Sequence, residues 1–303
     1  MRSSGVTDVE ASSIRPSLKA TGRARRRLVV NRISELLATV AAFGAVAVLG
    51  IVVWSVLSRG IPALNLDLFT QVQATFGESG GGIKNAIVGS IIIVALAAVV
   101  AVPIGVMVAI YVSEFAHEQA RRYIRLALDV LNGVPSIVIG IFVYGLLVVS
   151  SGQAAWKASF ALAVIMLPLV SRTTIEVLDL VPSSLREASF ALGVAKWRTV
   201  LFVVLPTVRG GILTGSTLAM ARAAGETAPI LFTSSIFLNQ VVTDPRQAMN
   251  TLPFTIFNYS EQADTNLNQQ AWAAAFILMM FVLVTSLSAR FLLARSERKL
   301  RGR

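Results

Sequence analysis

The sequence contains no cysteine and only one histidine, His117. Without thiols there is no disulfide and no thiolate chemistry, and the redox compartment stays open. With one imidazole, no multi-histidine metal site can form within this chain, and no metal is expected. Charged residues are also few, 14% of the chain, where soluble proteins carry about 25%. Apolar residues supply 55% of the 303 positions. That balance reads as an all-α integral membrane protein with several spans.

The net charge is +11, which by itself suggests a nucleic-acid partner. Its placement argues otherwise. Residues 1–32 carry eight Lys/Arg and two acids, and residues 290–303 carry six Lys/Arg and one acid. The body between these tails is neutral overall. Basic tails around an apolar body are what the cytoplasmic ends of membrane proteins look like, so no nucleic acid is expected.

A spanning helix needs about 20 mostly apolar residues. Six segments qualify: 33–58, 85–113, 130–156, 158–178, roughly 208–236, and 271–289. The first follows a polar stretch and is not followed by a small-residue cleavage site, so it is expected to be an uncleaved anchor. Pro103, Pro135, Pro168 and Pro229 fall within or beside spans. Proline is tolerated there when neighbouring helices satisfy the freed carbonyl. The N-terminal tail, the 114–125 loop, the 179–209 loop and the C-terminal tail are all basic, and the alternate loops are not. Six spans with both termini cytoplasmic fit every segment. The expected organisation is a basic tail at 1–32, a six-span domain at 33–293 and a basic tail at 294–303. The lipid bilayer of the plasma (inner) membrane is its surroundings. Of the two larger outside segments, 59–84 ends in the Gly-rich "GESGGGIKN". The other, 237–270, is polar and is expected to hold a short surface helix or a docking surface.

One inside loop carries the most information. Residues 181–206 read "VPSSLREASFALGVAKWRTVLFVVLP". Ser184 and Glu187 are spaced as a capping box just after Pro182. Leu185, Ala188 and Leu192 form an apolar stripe, and Gly193 can end or bend the helix. A second helical stretch, 195–205, is expected to run to Pro206. The loop is similar to the EAA loop of ABC-importer permeases, whose pattern is E-A-A-x3-G-x9-I-x-L-P. Here Glu187, Ala188, Ser189, Gly193, Val203, Leu205 and Pro206 stand at matching spacing. Ser189 for Ala and Val203 for Ile are the departures. The resemblance implies a type I importer permease of MetI-like fold, with this loop forming helices that dock on a cytoplasmic ATPase. A short helix with an apolar stripe and a charged rim suits such a groove. Glu187 has two readings: it caps its own helix, or it pairs with a basic residue of the ATPase. No G-x-x-x-x-G-K-[ST] stretch occurs, so hydrolysis is expected from the partner, which would bind the ATP and Mg.

The segment "MARAAGETAP", 220–229, puts two charges into an apolar stretch. Between Gly210 and Thr243 the only charged side chains are Arg222 and Glu226. At i,i+4 they would share one helix face, and ionisable residues inside a span mark function by default. The other reading is an ion pair that fixes packing. A further arginine, Arg172, lies in the fourth span. One acid does not neutralise two arginines, and a transported anion would supply the rest. Arg172 also has a plainer reading, snorkelling to the inner surface. Glu226 suits an anion that still carries a proton. Hydrogen phosphate can donate to a carboxylate while its other oxygens accept from guanidinium groups; sulfate has no proton to give.

"ARAAGETAPI", 221–230, and "NGVPSIVIGIF", 132–142, resemble segments of the phosphate-specific transport permeases, and the short first outside loop is more like the PstA-type than the PstC-type subunit. The resemblance covers the chain from about residue 28 onward; residues 1–27 have no counterpart. It associates Arg172 and Arg222 with phosphate passage, and Glu226 comes with the shared segment. It implies four partners: an ATPase dimer (PstB type), a second permease (PstC type), a periplasmic or lipid-anchored phosphate-binding protein (PstS type) and the bilayer. A permease for molybdate or sulfate, or a PstC-type subunit, is the alternative. An intramembrane enzyme is disfavoured: "HEQAR", 117–121, starts like the H-E-x-x-H zinc motif but has Arg121 in place of the second histidine. No catalytic residue is expected.

Overall fold

The computed structural model describes residues 22–73, 80–236 and 240–300. The basic tail through residue 21, the segments 74–79 and 237–239, and residues 301–303 lie outside the described residues. Residues up to Trp54 form one compact unit and Ser55–Arg303 another.

The first unit holds most of α1, which runs Arg23–Gly60. Its apolar residues from Leu28 to Trp54 are exposed, save the half-buried Val53. Apolar side chains all round a long helix are what lipid, not water, accommodates.

In the second unit the chain continues through α2 (Leu66–Thr70), capped by Asn65, whose Oδ1 accepts from Leu68 N at 2.7 Å. It then forms α3 (Lys84–Phe115), α4 (Glu118–Gly133) and α5 (Ser136–Ser151). α6 (Ala155–Asp179), α7 (Ser183–Ala191) and α8 (Lys196–Ala224) follow. Next come α9 (Ala228–Thr233), α10 (Leu252–Ser260) and α11 (Thr265–Leu300). Among the described residues no strand occurs. Five helices are long and apolar enough to span, and α4 with α5 forms a bent pair that makes the sixth.

Three expectations are corrected here. The loop at 114–125 and the third span at 130–156 divide differently. α4 takes residues 118–133, and α5 leaves it at 92° after the break at Val134 and Pro135. Proline there forces the preceding residue out of helical geometry. The fifth span begins at Lys196, not 208, and passes straight through Pro206. A π turn at Val200–Val204, closed by Leu205 N donating to Val200 O, widens the helix just ahead of the proline. The wider turn spares the carbonyl the ring would strike. Finally, the outside segment 237–270 does hold a short helix, but α10 is buried through Leu252, Pro253, Phe254, Thr255 and Tyr259. Its apolar run packs against α11.

The core lies between α3 and α6. Ile93, Ala97 and Ala101 of α3 meet Ala158, Leu162, Met166 and Val170 of α6, with Ala219 and Ala223 of α8 closing it. Small residues let membrane helices approach closely, since packing rather than water exclusion joins them. α8 shows this at Gly215, where a Cβ would stand 2.4 Å from Thr173 Oγ1.

Tyr259 of α10 is buried, which pushes its phenol up to about 12, against a lowering by the Gln73 hydrogen bond. Its folded value lies above the ordinary phenol value of 10.0. The stability it contributes is therefore complete below pH 10 and is lost as pH rises toward 12. The phenolate absorbance lost in Tyr259→Phe is expected to appear only near the upper end of that window. A difference already complete at pH 10 would put Tyr259 in water.

Candidate substrate pathway and coupling elements

α4 climbs along α6 from the latter's C-terminal end, and its polar residues meet α6 at regular steps. Arg125 Nη2 lies 2.9 Å from Asp179 Oδ2. Asp129 Oδ1 is hydrogen-bonded by Arg172 Nη1. Beyond them, residues 131–136 face Ile165 across a cavity. Asp179, Arg172 and Ile165 are spaced seven residues apart, about 10 Å of helix each time. The break between α4 and α5 thus sits near the middle of α6.

This cavity, of about 260 Å³, is lined by the 131–136 break, Ile139, Ile165, Arg222 and Glu226. α8 ends at Ala224, and the reason is local. Gly225 N donates to Arg222 O and Glu226 N to Ala223 O, which tightens the last turn. Pro229 then opens α9. Glu226 therefore lies past the helix, in the gap between α8 and α9, and not on a shared helix face as the spacing suggested. Its carboxylate is largely buried while the Arg222 side chain is 54% exposed. Arg222 Nε stands 3.9 Å from Glu226 Oε1, beyond hydrogen-bond range. Arg222 has no hydrogen-bond partner among the described residues. Gly140 of α5 seats α9 here: a Cβ on it would meet Pro229 Cα at 2.8 Å.

Arg172 does not join this cavity. It lines a smaller one, about 130 Å³, with Arg125, Asp129, Glu176 and Asp179. Asp129 and Glu176 both pair with it, the latter at 3.4 Å from Nε. The argument that one acid faces two arginines is thereby overturned, because α4 brings Asp129 and the next turn of α6 brings Glu176. Asp129 is not singled out by the sequence because residues 118–133 divide there between a loop and a span. Arg125 and Asp129 at i,i+4 in "RLALD" were the available sign.

The 181–206 loop folds as two helices about a glycine. Gly193 has φ +74. Its N–H donates to Phe190 O and that of Val194 to Ser189 O, a Schellman closure. The capping box does not form. α7 starts at Ser183 with Pro182 as its cap residue and no side-chain cap. Ser184 is already helical, where its side chain cannot take the capping role. Glu187 is exposed and unpaired among the described residues, which removes the capping reading. Leu185, Ala188 and Leu192 are all exposed, so the apolar stripe faces outward. Ser189 is buried and its Oγ lies 2.8 Å from Thr199 Oγ1. The hydroxyl that departs from the EAA pattern thus ties α7 to α8. Leu205 and Pro206 sit inside α8, past the π turn. Two further residues were missed: Glu114, buried at the end of α3, and Arg186, which grips it. A lone acid closing an uncharged span was the sign for the first.

A family model described as "Binding-protein-dependent transport system inner membrane component" matches residues 101–302. The chain is therefore an inner-membrane transport subunit of that class, a multi-pass permease and not an enzyme. Among solved structures, an inward-facing form of the MetNI methionine ABC transporter aligns with TM-score 0.55 at 17% identity, covering 71% of this chain and 94% of that one. A bacterial alginate ABC transporter aligns with TM-score 0.56 at 12% identity, covering 90% and 93%. These likenesses concern the fold alone. Among curated relatives, the phosphate transport system permease protein PstA of Pasteurella multocida is 37% identical, over 87% of this chain and 94% of that protein. The PstA of Haemophilus influenzae is 39% identical over 79% and 85%. PstA 1 of Mycobacterium tuberculosis is 36% identical over 81% and 82%. The chain belongs to this family of phosphate transport system permeases, the PstA proteins.

Proposed function

We propose that the chain carries inorganic phosphate inward as one half of an ATP-driven importer. The observation that carries this reading is the cavity at the α4–α5 break. There a guanidinium with no hydrogen-bond partner among the described residues, Arg222, stands beside a largely buried carboxylate, Glu226, in a chain of the PstA family. Hydrogen phosphate fits both groups at once. Two of its oxygens accept from Arg222, and its one proton donates to Glu226. Arg172 serves further along, after Asp129 and Glu176 release it. Glu187, Ala188, Ser189, Gly193, Leu205 and Pro206 build the element that an ATPase of PstB type grips. ATP and Mg belong to that ATPase, and this chain holds no cofactor. A PstC-type permease supplies the other wall of the path, and a PstS-type binding protein, periplasmic or lipid-anchored, delivers phosphate. Basic residues at 121–125, 186–209 and both tails support the reading that both termini are cytoplasmic.

The test is a reconstituted complex with its binding protein, assayed for ATP hydrolysis stimulated by phosphate, sulfate or molybdate. Phosphate alone should stimulate; stimulation by another oxyanion in its place would overturn the substrate. Glu226→Gln should lower discrimination of phosphate over sulfate about tenfold, the loss of about one charge-assisted hydrogen bond. Unchanged discrimination would leave Glu226 only as a holder of Arg222.

A further inference from the structure

The outward stripe of α7 explains how an ATPase can grip this chain, but not how a pull on α7 reaches the spans. A helix of nine residues joined to the body by a glycine turn would swing on its own. Arg186 prevents that. Its side chain points inward, away from Leu185 and Leu192, and makes contacts to two other helix ends. Nη2 lies 2.6 Å from Glu114 Oε1, and Nε lies 3.1 and 3.3 Å from the two carboxylate oxygens. Nη1 donates to Val181 O at 2.6 Å and Nη2 to Leu178 O at 3.1 Å. One planar group thus binds the acid that closes α3 and two carbonyls, of Leu178 and Val181, at the end of α6.

Glu114 is costly where it stands. It is a carboxylate with 5% side-chain exposure at a helix C-terminus, where the dipole disfavours negative charge. No packing need is met by it that a leucine would not meet better. Among the described residues its carboxylate is used only by the Arg186 fork. Two further contacts complete the joint. Arg121 of α4 donates to Val112 O and Ser113 O of α3. The buried pair Ser189 and Thr199 holds α7 to the start of α8.

We propose that Arg186 is a positioning residue that makes α7 move as one body with α3 and α6, so that displacement of the docking helix is delivered to these two spans and not absorbed at the Gly193 turn. The inference rests on the reading of α7 as the ATPase-docking element. The guanidinium geometry is what matters: an ammonium can pair with Glu114, but it cannot also fork to two carbonyls.

The experiment uses the full reconstituted transporter. In Arg186→Lys, the ATPase should co-purify and hydrolyse ATP within about twofold of wild type, while phosphate moved per ATP falls about fivefold or more, the scale on which coupling residues act. Equal phosphate per ATP in an assembled R186K complex overturns the proposal. Loss of ATPase from the complex also overturns it, because Arg186 would then shape the dock itself. Should R186K not yield folded protein, Glu114→Gln carries the same measurement with size and an acceptor oxygen kept. Unimpaired coupling in E114Q overturns the proposal equally. Glu187→Arg separates the two readings: it should release the ATPase if α7 is the dock. If E187R retains the ATPase, the docking reading fails; if it releases the ATPase and R186K is fully coupled, only the joint fails.

Discussion

Arg222→Gln is expected to cut phosphate uptake at least about tenfold and to leave assembly of the transporter intact. The structure gives both halves of this result. The Arg222 side chain is half exposed and makes no hydrogen bond among the described residues, and its ion partner Glu226 is 3.9 Å away. Its removal therefore breaks little that holds the fold. Its charge, however, is the one cation lining the cavity at the α4–α5 break among the described residues. Glutamine keeps a donor and loses the charge, and the neighbouring Glu226 then repels the anion unopposed. Losing a hydrogen bond to a charged group costs about 1.5–3 kcal/mol, so uptake should fall at least about tenfold by the tenfold-per-1.4 kcal/mol rule. Radiolabelled phosphate uptake into proteoliposomes, scaled to recovered complex, measures it. Normal uptake would sink the pathway role of Arg222. Arg172→Gln is a less clean probe, since it also strips Asp129 and Glu176 of their partner and loosens α4 from α6.

The largest effect on stability is expected from Gly89→Val. A Cβ on Gly89 would lie 2.0 Å from the backbone oxygen of Asn250, where ordinary contact begins at 3.4 Å. No rotamer relieves a clash with backbone; α3 must draw away from the 249–252 segment by more than 1 Å. That movement breaks the joint beside it. Leu252 N donates to Ser90 Oγ at 2.8 Å, and Asn250 and Thr251 are buried. Overpacking alone costs about 1–3 kcal/mol; with the joint lost, melting should fall by about 10 °C. Gly44→Val, in α1 with nothing within 4 Å, is the control and should melt as wild type. Equal melting of the two variants would mean the 249–252 segment is not seated on α3.

Much of the fold was legible. Apolar runs of spanning length need no partner to be recognised, so the first, second, fourth and sixth spans appeared near their places. The glycine bend at 193 was legible because only a residue without Cβ takes φ +74 easily. The failures share one cause. Local signals cannot weigh a helix against the loop that periodicity alone suggests when the deciding contacts are distant. "RRYIRLALD" is polar enough to pass for a connection until Arg125 and Asp129 find Asp179 and Arg172 on α6. Pro206 looks like a stop until a π turn accommodates it. Ser184 and Glu187 have the right spacing for a cap, but Pro182 is the cap residue and sets the helix start two residues earlier.

The sequence by itself determined the class of protein. Hydropathy is a sum over neighbours in the chain, and the 187–206 pattern and the 221–230 segment are contiguous, so membrane, spans, coupling loop and family could all be read along one dimension. Only the tertiary structure decided which charges are free. Arg172 and Arg222 look alike as isolated cations in apolar sequence. α4 brings a carboxylate to the first, and the helix end at Gly225 leaves the second open to the cavity. Charge in low dielectric is governed by its nearest partner in space, and for Arg172, as for Glu114 and Arg186, the decisive partner lies 43 or 72 residues away in the chain.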